Sequence, residues 1–364
     1  MTARNLKPLS LPNKFVLRFV FLYVLLYIYP YGFEYITEMN TDDFSFWKPP
    51  VIWFGEVFFG WEFDEDRLLN GFDSKYDFAR FALVAFISVV GAAIWLFIDS
   101  KVKSEYNEKL KILLQTVLRY HIGLTLLLYG LSKVFLLQFG MMDIDSLETK
   151  IGDYNGMGYL WAFMSYSKFY GISAGLIEVA GGILVLFRKT TSLGAFLLLI
   201  AMLNVVLIDI GFDVTVKMFA IHLLLMTILL LWNDLKRLTH FFLKTRATTS
   251  ANFLPLFTGK KGKKTGLILK AIVLCYVILS FGNDMSERIA TQHTNRYKNL
   301  TGLHDIELFV KNGDTIPTDD TKGNRWDKMS IKGLSYLPET LLITKTDKNK
   351  GALQIHRGYP GKRN

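Results

Sequence analysis

Residues 113–139 read Leu-Leu-Gln-Thr-Val-Leu-Arg-Tyr-His-Ile-Gly-Leu-Thr-Leu-Leu-Leu-Tyr-Gly-Leu-Ser-Lys-Val-Phe-Leu-Leu-Gln-Phe. The run is long and apolar enough to cross a bilayer core, which takes about 20 residues at 1.5 Å rise each. Its polar residues are not scattered. Arg119, Gly123, Leu126, Gly130 and Lys133 fall at i, i+4, i+7, i+11 and i+14, one stripe of a helix. A stripe that joins two cations to two glycines faces protein rather than lipid.

Six further runs of this kind flank it: Phe15–Ile36, Asp77–Ile98, Phe169–Phe187, Ser192–Ile210, Val214–Trp232 and Thr265–Gly282. The first has a basic start but is too apolar and too long for a cleaved leader, so it reads as a retained helix. The chain is 51% hydrophobic and 20% charged over 364 residues, with the apolar residues gathered in blocks. That excludes a soluble globular protein, a disordered chain and an outer-membrane barrel, whose strands alternate apolar and polar residues. A single cysteine, Cys275, excludes a disulfide scaffold, a dithiol redox pair and a cysteine zinc site. The predicted fold class is an all-α polytopic membrane protein of about seven spans with a small β-rich C-terminal soluble domain.

The net charge of +10 is distributed asymmetrically. Residues 1–14, 99–112, 188–190 and 234–264 together hold 17 Lys/Arg, whereas residues 37–76, 140–168 and 211–213 hold 5. The positive-inside rule then puts the N-terminus in the cytoplasm and the C-terminus outside, as in a bacterial inner membrane with a periplasmic tail. These flanks account for the basic charge without nucleic acid. Residues 44–63 carry Trp47, Trp53, Trp61, Pro49 and Pro50 in an acidic outer loop, which reads as an interfacial segment or as a re-entrant lid. Residues 283–364 alternate short apolar runs with turn signals, Asn312-Gly313 foremost, and read as a β-rich domain with at least one hairpin. The chain divides into a two-span region (1–112), a four-span bundle (113–233), a basic loop (234–264), a last span (265–282) and the tail (283–364).

The ionisable residues inside the spans are the candidate site. Counting 1.5 Å per residue puts Lys133, Glu178, Asn204 and His222 at similar depths, roughly 9–13 Å below the outer surface. Lys217, Asp209 and Asp213 lie above them, and Glu34 and Arg80 reach a similar level. Gly171, Ala174, Gly175, Glu178 and Gly182 share one face, with Gly171-x-x-x-Gly175 as a close-packing surface. Two readings fit: internal ion pairs such as Lys133–Glu178 that lock helix register, or an outward-facing polar chamber that binds a headgroup or moves a proton. His121 is off the stripe. No His-x-x-x-His spacing occurs, and no metal site is predicted.

Arg119-x-x-x-Gly123, Tyr129-Gly130-x-x-Lys133 and Glu178-x-x-Gly181-Gly182-x-Leu184 resemble the DoxX/DoxD-like membrane family, over about residues 113–233. The resemblance implies a four-helix transmembrane bundle. It also implies association with thiosulfate:quinone oxidoreductases or with redox-detoxifying partners, and a quinone-like lipid as ligand; a more distant likeness is to the vitamin K-dependent carboxylase membrane domain. The chamber, lined by Arg119, Tyr129, Lys133, Glu178, Asn204, Asp209, Lys217 and His222, is then expected to bind a quinone-like or small anionic ligand, with membrane lipid and a periplasmic or membrane protein as the expected partners. A transporter for a small polar solute and a non-catalytic scaffold are the alternatives.

A reporter fused after Gly282 is expected to be periplasmic and one fused at Lys260 cytoplasmic. A cytoplasmic tail in protease-protection or reporter assays would reverse the charge-based assignment.

Overall fold

The computed structural model describes residues 10–29, 47–63, 73–99, 105–142, 146–147, 149–232, 259–293, 302–331, 340–347 and 350–354, with scattered positions between 234 and 257. Its helices are α1 (Leu11–Ile28), α2 (Lys48–Phe59), α3 (Lys75–Asp99), α4 (Glu105–Val134), α5 (Gly156–Tyr166), α6 (Lys168–Leu186), α7 (Thr191–Gly211), α8 (Lys217–Leu231) and α9 (Gly259–His293). Six of them, α1, α3, α4, α6, α7 and α9, are long and apolar enough to cross a membrane. The protein is a multi-pass membrane protein. The predicted sixth span, Val214–Trp232, is shorter than expected: α8 starts only at Lys217 and has 15 residues, roughly 22 Å of helix. The reason is local. Asp213 takes a left-handed conformation (φ 52°) and breaks the chain after α7.

Other boundaries shift for equally local reasons. The third run starts earlier than predicted, at Glu105, and stops at Val134 instead of Phe139. There the Leu137 N–H donates to the Ser132 carbonyl and the Leu136 N–H to the Lys133 carbonyl. With Leu136 at φ 58°, this is a Schellman end, built on a leucine where glycine is usual. The last span is the middle of the 35-residue α9. Of the first predicted span, residues 30–36, including Glu34, lie outside the described residues.

Residues 44–63 do contain a helix, the 12-residue α2. Pro49 and Pro50 occupy its first turn, where their missing N–H groups cost nothing, and Gly60 ends it at φ 64°. Val51 and Phe54 are buried against Ala79, Leu83 and Val84 of α3. Trp53, Phe58 and Phe59 remain exposed. A helix too short to span, with one buried face and one aromatic face, fits the interfacial reading.

The chain forms two compact units, Met1–Leu131 with Leu176–Gly282 and Ser132–Gly175 with Asn283–Asn364. In the first, a single core joins Phe21 and Val24 of α1, Leu118, Ile122 and Leu126 of α4, Leu198 and Met202 of α7, and Leu223, Met226 and Leu230 of α8. The backbones of α4 and α6 approach closely. A Cβ on Gly182 would stand 2.8 Å from the Gly123 carbonyl oxygen and 3.1 Å from the Leu127 nitrogen. Gly181 and Gly194 hold α6 against α7 in the same way: a Cβ on Gly181 would sit 2.3 Å from Leu198, and one on Gly194 would sit 2.7 Å from the Val185 nitrogen. By contrast, a Cβ on Gly171 would meet only the Met164 carbonyl, at an ordinary 3.7 Å.

In the second unit the tail folds as a four-stranded antiparallel sheet in the order β1 (Gly302–Asp305), β4 (Trp326–Ile331), β5 (Thr340–Lys345), β6 (Lys350–Gln354). A separate hairpin pairs β2 (Val310–Lys311) with β3 (Asp314–Thr315). Its turn is Asn312-Gly313 with both φ angles positive, at 57° and 96°, as a two-residue hairpin demands. Arg325 is buried in this domain and ties the loops to the sheet, donating to the carbonyls of Ile306, Glu307 and Ile316.

Gly182→Ala should force α4 and α6 apart, because the new methyl meets main chain that cannot rotate away. A loss of about 1–3 kcal/mol is expected, read as a lowered melting temperature in detergent. Unchanged melting would place the contact elsewhere.

Candidate functional site

The polar side chains of the first unit gather chiefly where helices end. An α-helix leaves its first N–H groups and last carbonyls without internal partners, and lipid offers no water to satisfy them. At the end of α1, the buried guanidinium of Arg80 on α3 donates to the carbonyls of Tyr27 and Tyr29, at 3.2 and 3.0 Å. Arg80 also lies 6.0 Å from the Trp47 ring. At the start of α3, Ser74 and Asp77 cap each other: the Asp77 carboxylate accepts from the Ser74 N–H and hydroxyl, and the Ser74 hydroxyl accepts from the Asp77 N–H. At the start of α8, one oxygen of Asp73 accepts the Lys217 N–H at 2.8 Å, and the other accepts the Met218 N–H at 3.0 Å. This cap comes from 144 residues earlier in the chain. The Lys217 ammonium itself pairs with Asp213 at 2.7 Å and approaches Asp73 at 3.9 Å.

One turn into α8, His222 is buried among α1 and α3. Its Nδ1 lies 2.6 Å from the Met218 carbonyl, and its Nε2 lies 2.8 Å from the Tyr23 hydroxyl. A carbonyl can only accept, so Nδ1 carries the proton. In the neutral ring Nε2 then accepts from the Tyr23 hydroxyl. The imidazole stacks on Tyr27 with centroids 4.2 Å apart and contacts Phe81 at 4.8 Å. Tyr23 in turn stacks on Tyr27. The result is a proton-carrying imidazole–phenol pair layered between aromatic rings.

Arg119 serves a different end of the bundle. Its Nε donates to the Val185 carbonyl at 3.1 Å and a terminal nitrogen to Leu186 at 2.8 Å, so it caps the C-terminus of α6. That end carries Thr191, whereas Asp209 and Lys217 stand at the opposite end of α7 and α8. Arg119 therefore does not share a level with His222.

All five positions of the predicted stripe, Arg119, Gly123, Leu126, Gly130 and Lys133, are buried, as are Gly171, Gly175, Glu178 and Gly182 on α6. Lys133 and Glu178 are 8% and 3% exposed and belong to different compact units. Asp209 is buried near the end of α7, and Tyr129 contacts Phe219 of α8 with ring centroids 5.9 Å apart. Asn204 differs from expectation. It is exposed on the face of α7 that bears Ile200, Leu203 and Leu207, because the i, i+3, i+4, i+7 row points outward. The sequence argument placed Asn204 by depth alone and did not use its angular position on α7. Tyr23, Tyr27, Asp73 and Phe81 were not singled out by sequence. The capping box Ser74-x-x-Asp77 was a readable signal for the α3 start, but the remote cap by Asp73 had none.

Residues 114–217 match the family model DoxX. An uncharacterized protein of Bacillus subtilis (strain 168), YwoB, is 32% identical over 124 residues, which is 34% of this chain and 79% of that protein. The chain belongs to the DoxX family. No solved structure matches it. The DoxX region runs from α4 to the first residue of α8, so it contains the Arg119–Gly123–Gly182 contact and excludes His222. In this DoxX protein, the family-like Arg-x-x-x-Gly motif is explained by packing. Gly123 lets α6 approach, and Arg119, one turn away, reaches the carbonyls that α6 leaves open.

Asp73→Ala should destabilise the protein by about 1–2 kcal/mol through loss of the α8 cap, while Asp73→Asn should keep most of the stability. Equal melting of all three proteins would show that the cap contributes nothing.

Proposed function

We propose that the protein is a redox-associated DoxX subunit of a bacterial inner membrane that binds a quinone-like lipid at the His222 cluster, near the outer surface. The observation that carries this reading is the 2.8 Å bond between the Tyr23 hydroxyl and His222 Nε2. A hydroquinone is a phenol, and its hydroxyl is the same kind of donor as that of Tyr23. An imidazole held by Met218 with Nε2 presented as acceptor is suited to take the proton of such a donor and return it. Tyr27 and Phe81 supply flat apolar surfaces for a ring. The orientation rests on the Lys/Arg asymmetry, which puts the α1 end, the α3 start and the α8 start on the outer side.

The reading is tested by extracting lipid from purified protein and measuring quinone by mass spectrometry. His222→Phe keeps the stacking but removes the acceptor, so quinone retention should fall about 3- to 10-fold, the worth of one hydrogen bond. Tyr23→Phe removes the internal competitor and should retain at least as much as wild type. Wild-type protein free of quinone after expression in a quinone-rich membrane would overturn the proposal.

A further inference from the structure

The opposite end of the same unit carries a second concentration of charge, in which the carboxylates are already engaged, Asp99 by Arg18 and Asp234 by Ser192 and Arg237, and, among the described residues, the cations around the end of α6 are not matched. The Leu186 carbonyl oxygen accepts from the Arg119 guanidinium at 2.8 Å and from the Lys270 ammonium of α9 at 3.1 Å. Sharing one oxygen holds the two cations within about 6 Å of each other, where they repel. Lys270 also sits 4.2 Å from the centre of the Phe187 ring. Arg188, exposed on the α6–α7 turn, adds its field to both. Lys189 is exposed beside it.

A helix C-terminus offers about half a negative charge, which two full cations exceed severalfold. Among the described residues, neither Arg119 nor Lys270 has a carboxylate partner. The start of α9 makes the imbalance worse. Lys260, Lys261, Lys263 and Lys264 are exposed in its first two turns, where the helix dipole disfavours cations, and its first turn holds no acidic residue. Lys263 precedes Lys270 by seven residues and so lies on the same face of α9. The apolar residues Leu267, Ile268 and Ile272 that follow are exposed, as a lipid-facing helix requires.

We propose that this end of the bundle, framed by Arg188, Lys189, Lys263 and Lys270 around the C-terminus of α6, binds the phosphate headgroup of an anionic phospholipid. A phosphate there would neutralise charge that the chain itself leaves in excess, and its acyl chains would lie along the exposed face of α9. Arg119 takes part as the cap of α6 and adds to the field. This site is independent of the His222 cluster.

The test uses the full chain in detergent, with native mass spectrometry and melting curves in the presence of phosphatidylglycerol, phosphatidylcholine or inorganic phosphate. Wild type should retain phosphatidylglycerol in preference to phosphatidylcholine and melt higher with it. Arg188→Gln and Lys189→Gln alter only exposed side chains, and each should weaken retention of phosphatidylglycerol about fivefold, with a similar loss for Lys270→Met. Equal retention of the two lipids, or equal retention by wild type and the Arg188→Gln, Lys189→Gln double variant, would overturn the proposal. Stabilisation by inorganic phosphate with nothing gained from phosphatidylglycerol would also overturn it, since the site would then hold a free anion.

Discussion

A helix that ends where water cannot reach leaves peptide groups that something else must satisfy. In this protein that requirement is met by charged side chains from other segments. Arg80 closes the end of α1, Asp73 closes the start of α8, and Arg119 with Lys270 closes the end of α6. Each cap has the sign the helix dipole asks for: anion at an N-terminus, cations at C-termini. The arrangement explains why so many ionisable residues lie in or beside apolar runs. Several of them serve the backbone, and each cap also fixes where one helix stops against another.

That division of labour sets how much could be read from the sequence. The long spans were legible because a bilayer imposes one length and one composition on each. The buried stripe on α4 was legible because glycines and cations at helical spacing have no place against lipid, and all five of its positions are indeed buried. The hairpin at Asn312-Gly313 was legible because only such a pair accepts two positive φ angles readily. What escaped was the pairing of distant segments. Nothing local to residues 70–75 says that Asp73 will cap a helix starting at Lys217. Asn204 shows the complementary failure: a polar residue expected in the chamber that lies on the exposed side of its helix.

The candidate site was legible in part for the same reason. His222 stands out as a titratable group in the middle of an apolar run, and the structure does bury it. Its partners Tyr23, Tyr27 and Phe81 are unremarkable in sequence, since aromatic residues abound in α1 and α3. Only the crossing of three helix ends gives them a common purpose. The shared family core, by contrast, contributes packing. Gly123 and Gly182 bring two backbones into contact, and Arg119 closes the junction.

Met218 has a double engagement that bears on how the protein is divided. Its N–H is held by Asp73, and its carbonyl holds the imidazole of His222. The first two spans are therefore not an appendage to the DoxX core. A chain shortened to begin near residue 113 would bare the first turn of α8 and strip His222 of both its phenol and its aromatic neighbours. What looks along the sequence like a module added in front of a bundle is, in space, part of the packing around α8.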